Sequence, residues 1–309
     1  MAYTSGTATN YHNLMDVLKT YLVSQGWTVL SYTLGTTLTD SSELHIQFPG
    51  VNTFNGVLNI RTEFNTGSGF YGWESSVSKS YNPSFVWGSQ VDESPSVFTN
   101  MWDQSIGYWM YVNDRRVILS LKVSSVYASA FWGMFLPFAT PDEYNYPYYI
   151  GSNFIALGDF APPTGFVNYF IASPSINTAF YCSRNSVWKP IENRLLSIYG
   201  TDATSYSRNP LGRIFPHGGM GMGFGAGTDS FENWMGNSRP NAAGETLVIP
   251  CHIISHDEKT VIGVLDGVHG LPGFGKGTEQ QVVLGSRTFR LFQDLNRTTD
   301  KSYMAIEEL

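Results

Sequence analysis

The sequence predicts an α+β protein: an N-terminal helix packed on an antiparallel sheet over residues 1–151, then a mostly antiparallel β domain over 152–309. Three observations carry this expectation. Apolar residues recur at helical spacing in one place, Asn10 to Gln25. The densest run of β-branched and aromatic residues, Ser105 to Phe138, alternates as strands do. From Glu245 onward short alternating segments return, separated by turn residues.

In the helix, Tyr11, Leu14, Met15, Leu18 and Leu22 share one face; Thr9 or Asn10 caps the start and Gly26 supplies a left-handed stop. Trp27 to Tyr32 reads as a strand packed back on it, and Thr33 to Ser42 as a polar loop. Glu43 to Phe48 alternates as a half-buried strand and ends at Pro49-Gly50. Val57 to Phe64 and Tyr71 to Ser76 form a strand pair, with Arg61 and Glu63 on what reads as a solvated face. Ser78 to Thr99 is a long loop rich in Ser and Pro, of a length that implies binding or the covering of an edge.

Tyr108 to Val112 and Arg116 to Val123 are the central hairpin, joined by Asn113 and Asp114, residues that tolerate a positive φ. In the second strand Val117, Leu119, Leu121 and Val123 form an apolar face opposite a mixed one of Ile118, Ser120 and Lys122. Val126 to Ala130 reads as a short separate segment before an apolar run from Phe131 to Phe138. Residues 153–180 are apolar but irregular, Pro190 to Tyr199 suggests a short helix, and 200–246 are loop-like around the glycine run of 218–227. Strands follow at Thr246 to Ile253, Val261 to Leu265, Gln281 to Leu284 and Thr288 to Phe292, with Gly285-Ser286 turning the last pair.

Composition narrows the function. The chain has 309 residues, 15% aromatic but only 14% charged, against about 25% charged in an average chain. A surface so poor in charge and rich in rings suits lasting contacts with other subunits, while the same composition equally fits a β-rich monomer whose rings fill its cores. The net charge is −7 and no basic stripe exists, so a nucleic-acid partner is not expected. No apolar run approaches the ~18 residues of a membrane span, and the start lacks the pattern of a signal peptide. The expected setting is therefore the cytosol, or a particle assembled there. Cys182 and Cys251 are far apart and read as buried free thiols.

The chemical motifs are weak. Gly270 to Thr278 looks like a phosphate loop, but Gly277 stands where magnesium needs a hydroxyl and a strand follows where a helix is required. Cys251, His252, His256 and Asp257 have metal-ligand side chains, but on a strand the two histidines lie roughly 13 Å apart. Glu43 and Glu63 lie on different strands, and no nucleophile motif occurs. No cofactor, metal or catalytic residue is expected.

Three stretches together resemble a family of virion structural proteins of tailed bacteriophages and prophages. The first is residues 2–30, a small-residue arm before one helix and a strand at Gly26-Trp27. The second is residues 108–151, marked by Asn113-Asp-Arg-Arg116, Lys122-Val-Ser-Ser-Val-Tyr127 and Leu136-Pro-Phe-Ala-Thr-Pro141. The third is residues 265–309, with Leu265-Asp-Gly-Val268 and a glycine-turned hairpin, departing at Ala305-Ile306. Residues 155–245 find no counterpart. The resemblance implies a tail or baseplate subunit of the virion that contacts other virion proteins and copies of itself, and it implies no catalytic residues.

On this reading the arm Ala2 to Thr9 extends onto a neighbour, and loops 78–99 and 208–240 are the other contact surfaces. The candidate contact residues are Tyr3, Tyr81, Phe85, Trp87, Phe98, Met220, Met222 and Phe224. The alternative is a carbohydrate- or host-receptor-binding tip, with Trp73, Trp87 and Trp102 lining a shallow site. A polysaccharide hydrolase, whose two carboxylates need no local motif, stands third.

Overall fold

The computed structural model describes residues 2–50, 55–65, 70–138, 147–152, 180–184, 187–190, 246, 248–255, 260–271, 275–292 and 303–308. The candidates Met220, Met222 and Phe224, residues 191–199 of the expected helix and the glycine run at 218–227 lie outside the described residues. Those described are mostly antiparallel β with one helix. In chain order the elements are β1 (Ala2–Ala8), α1 (Tyr11–Ser24), β2 (Thr28–Thr33), β3 (Glu43–Gln47), β4 (Val57–Asn65), β5 (Phe70–Ser78) and β6 (Val97–Met101). β7 (Ile106–Val112), β8 (Arg116–Val123), β9 (Val126–Met134), β10 (Leu136–Pro137), β11 (Tyr148–Gly151), β12 (Phe180–Arg184) and β13 (Val187–Pro190) follow. β14 (Ile249–Ser255), β15 (Thr260–Leu271), β16 (Gln281–Leu284), β17 (Arg287–Phe292) and β18 (Tyr303–Glu308) complete the chain. These elements fall into two units, the first holding α1, β1–β9 and β11–β13, the second β10 and β14–β18.

In the first unit, α1 starts where Asn10 Oδ1 accepts from the Asn13 amide, while Asn13 Oδ1 accepts from the Thr9 amide. It stops in a Schellman turn, with the Trp27 amide on the Leu22 carbonyl and Gly26 at φ +87°. Tyr11, Leu14, Met15, Leu18 and Leu22 are buried in one core with residues of both sheets. Those sheets run β1-β7-β8-β9-β11-β12-β13 and β2-β3-β4-β5-β6. Two indoles tie helix and sheets together: Trp73 on β5 donates to the Tyr11 carbonyl of α1 at 3.1 Å, and Trp132 on β9 donates to Ser75 Oγ on β5 at 2.9 Å. Both are fully buried, with ring centroids 6.4 Å apart.

Four expectations are corrected in this unit. Residues 2–8 are not a free arm but a strand on the chain's own sheet, paired with β7 from Ala2↔Val112 to Ala8↔Ile106. The turn after β7 uses no positive φ. Asn113 Oδ1 accepts instead from the amides of Arg115 and Arg116, and the Asn113 amide donates to the Arg116 carbonyl. Residues 126–134 are one strand, β9, joined to β8 by a tight turn in which Ser124 takes φ +55°. The mixed face of β8 is also buried, because β8 is a central strand of its sheet: Ile118 and Ser120 are as enclosed as Leu119, and the hydroxyls of Ser120 and Ser129 pair at 3.1 Å.

The second unit has strand order β10-β15-β18-β17-β16, with β14 also on β15. Leu271, Val282, Phe289, Leu291 and Ala305 form a core. The C-terminal strand β18 is gripped by two arginines of β17. Arg287 makes a two-pronged bridge to Glu307, both contacts at 2.6 Å, and Arg290 reaches Glu308 at 2.5 Å. Cys251 is buried and free, and burial pushes its thiol up to about 12.

Arg287 Nη2 also donates to Nε2 of the buried His269 at 3.1 Å. An arginine only donates, so His269 Nε2 must accept, which requires a neutral ring. Burial first, and the Arg287 charge second, lower the His269 pKa to about 4. An unfolded histidine titrates near 6.5, so between those values the unfolded chain binds the extra proton. Stability should therefore fall as pH drops from about 6.5 to 4, by on the order of 3 kcal/mol in all. Urea midpoints across that range should show it, and His269→Gln should flatten the slope. His12, whose pKa burial also lowers, acts in the same sense in the first unit and would leave a residue of it.

Candidate contact site

Strand register puts Glu43 and His45 of β3, Asn59, Arg61 and Glu63 of β4, and Glu74, Ser76 and Ser78 of β5 on one face of the five-stranded sheet. The opposite face, with Leu44, Ile46, Leu58, Ile60, Trp73 and Val77, belongs to the core. Such a polar face would ordinarily meet water. Here residues 79–96 fold back over it.

A connected set of hydrogen bonds results. Ser78 Oγ donates to the Ser80 carbonyl, so its oxygen can only accept from Asn59 Nδ2, at 3.1 Å. That orients the Asn59 amide and leaves Oδ1 to accept from His45 Nδ1 at 2.7 Å. His45 Nε2 lies 2.5 Å from Glu43 Oε1. Asn59 Nδ2 also reaches Ser76 Oγ, and Ser76 donates to Glu93 of the loop. The other Glu93 oxygen accepts from the Gln90 amide at 2.6 Å.

The loop is built on the buried Gln90. Its Oε1 accepts from the Asn82 amide at 2.7 Å, and its Nε2 donates to the carbonyls of Asn82 and Phe85. Turns at Asn82–Phe85 and Val86–Ser89 close the tip, and Ser94 ties the returning chain to Val77. Tyr81 lies over His45 with centroids 4.4 Å apart, and Trp87 lies over Arg61 at 4.9 Å. Arg61 bridges Glu63 at 2.9 Å and Glu74 at 2.6 Å. Burial holds the Glu63 carboxyl above the usual carboxylate range, against the pull of Arg61. The face expected to be solvated is thus partly covered: His45, Asn59, Ser76 and Ser78 are buried, while the side chains of Arg61 and Glu63 each stay 32% exposed. What remains outside is the tip, where Phe85 is 46% and Val86 73% exposed.

Of the sequence candidates, Tyr81, Phe85 and Trp87 fall in this one loop; Tyr81 and Trp87 face the sheet and Phe85 faces outward. Phe98 is half-buried on β6, and Tyr3 is half-buried on β1 with its ring 5.0 Å from Tyr111. Trp73 is fully buried and does not line a shallow site as the sugar-binding alternative requires, whereas Trp102 is half-buried, with one side packed against the core. His45, Asn59, Gln90 and Glu93, which hold the loop, escaped the sequence reading, and Arg61 was read only as part of a solvated face. Their signal was the shared parity of polar residues on three adjacent strands. Glu43 and Glu63 do share a face, but Glu43 is engaged by His45 and Glu63 by Arg61.

A concavity of about 660 Å³ lies beside the start of α1 and the loop at 34–39. Its loop amides at Thr36 and Thr37 are taken by the Asp40 carboxylate, whose pKa these bonds depress. Among the described residues no three His, Cys, Asp or Glu side chains gather to hold a metal ion, and no helix is long and apolar enough to cross a membrane. No family model matches the chain, and no curated protein matches it.

Proposed function

We propose that this chain is a non-catalytic structural subunit of a tailed-phage particle, in its tail or baseplate region, acting through contacts with copies of itself and with other virion proteins. In this reading it is an α+β protein whose N-terminal helix braces the assembly sheet, it is put together in the host cytoplasm, and its place is the virion. The resemblance of residues 2–30, 108–151 and 265–309 to such proteins supports it. The single structural observation that carries it is the tip at Phe85-Val86: an exposed apolar pair on a loop already immobilised by Gln90 and Glu93. A contact made by a pre-ordered loop loses little entropy on docking, and an aromatic anchor concentrates the energy.

The paired substitution Phe85→Ser and Val86→Ser should weaken assembly at least tenfold, equivalent to about 1.4 kcal/mol. Both side chains are exposed, so thermal stability should stay unchanged. Mass by light scattering over a concentration series reads the first, and a melting curve the second. Unaltered assembly would remove the tip from the contact. Glycan binding abolished by Trp87→Ala would instead favour the receptor-binding reading.

A further inference from the structure

We infer that β1 is the edge through which two copies of this chain join in a two-fold dimer with one continuous sheet. This rests on the assembly role proposed above and names its partner and surface. β1 stands at the end of the seven-stranded sheet, and among the described residues it pairs with β7 alone. A strand edge presents unpaired amides and carbonyls that another strand can complete, and proteins usually guard it. The other terminal strands are guarded. β13 ends on Pro190, which has no amide to offer, β14 holds Pro250 and two register shifts, β2 has a register shift between Val29 and Ser31, and β10 is two residues with a proline. β6 and β16 are short, at five and four residues. β1 has none of these devices: seven residues in unbroken register, no charge, no proline, with Ser5, Gly6 and Thr7 exposed.

The occupant follows from charge and symmetry. The chain carries −7, so most of its surface repels a copy of itself, whereas the β1 strip is uncharged. Antiparallel pairing of β1 with a second β1 about Ser5 sets Ser5 opposite Ser5 and Thr4 opposite Gly6. Residues of equal parity meet, so the core-facing side of one sheet continues into that of the other. A charged peptide would find no complement on this strip.

The test uses the full chain in sedimentation or light scattering. The wild type should dimerise. Ser5→Lys and Ser5→Glu should each weaken the dimer about fivefold or more, because like charges then face each other across the axis. An equimolar mixture of the two variants should restore dimers, which only a contact at Ser5 itself can produce. Melting curves taken at a concentration too low for dimers should be unchanged, since Ser5 is exposed. A monomeric wild type, variants that dimerise as before, or a mixture that stays monomeric would each overturn the proposal. The Phe85→Ser/Val86→Ser protein separates the two readings. It should keep the β1 dimer while losing larger assemblies; loss of the dimer in that protein, with Ser5→Lys still dimeric, would place self-association at the tip and overturn the β1 proposal.

Discussion

Gly133→Ala should destabilise the first unit by roughly 3–5 kcal/mol, at the far end of what single substitutions do. Gly133 sits in β9 opposite Arg116 with φ +138°, a backbone conformation open to glycine and hardly to anything else. A Cβ there would lie 2.3 Å from the Arg115 carbonyl oxygen and 2.6 Å from the Arg116 Cα. Both are backbone atoms, so no side chain can swing aside. The same Arg115 carbonyl accepts from the Met134 amide at 2.9 Å, so any shift that relieves the clash breaks that bond. A domain of ordinary stability has about 5–15 kcal/mol to lose. The denaturant midpoint should drop accordingly; a wild-type midpoint would mean that β8 and β9 do not meet in this register.

Trp73→Ala comes next, at about 3–5 kcal/mol. The side chain is wholly enclosed between α1 and the two sheets, and its removal leaves a cavity that rigid strands on both sides cannot close. It also leaves the Tyr11 carbonyl without the indole donor. Urea denaturation would measure the loss. Trp73→Phe should recover much of the packing and none of the hydrogen bond, separating the two terms. If Trp73 instead lined a sugar site, the alanine variant would lose ligand with its midpoint intact.

Local features were legible in the sequence. α1 is found within a residue of its expected ends, because its period, its Asn10 cap and its Gly26 stop all act within a few residues of the helix. The strands of the central hairpin and the β16–β17 pair were legible for the same reason: each joins neighbours across a short turn. β1 was not, because its partner β7 lies about a hundred residues away and Ala2–Ala8 has no apolar alternation to mark it. Nor was β6, hidden at the end of the long loop, or β18, which pairs across the second unit with β15 and β17.

For the contact site, the sequence pointed to the aromatic loop but not to how much of the polar face the loop covers. Arg61 and Glu63 read as solvent-facing because alternation separates two faces without saying which is covered. The fold brought Glu93 to Ser76 and Tyr81 to His45, and so turned a polar sheet face into a mount for the loop.

By itself the chain's order of residues determined where one helix begins and ends, which segments extend, and that rings slightly outnumber charges along the chain. Only the tertiary structure decided that the first residues become a sheet edge, that both faces of β8 are enclosed, and that Phe85 and Val86 stand outside while Trp87 turns in. Periodicity and turn chemistry act over a few residues, whereas burial depends on which distant segment arrives to cover a surface.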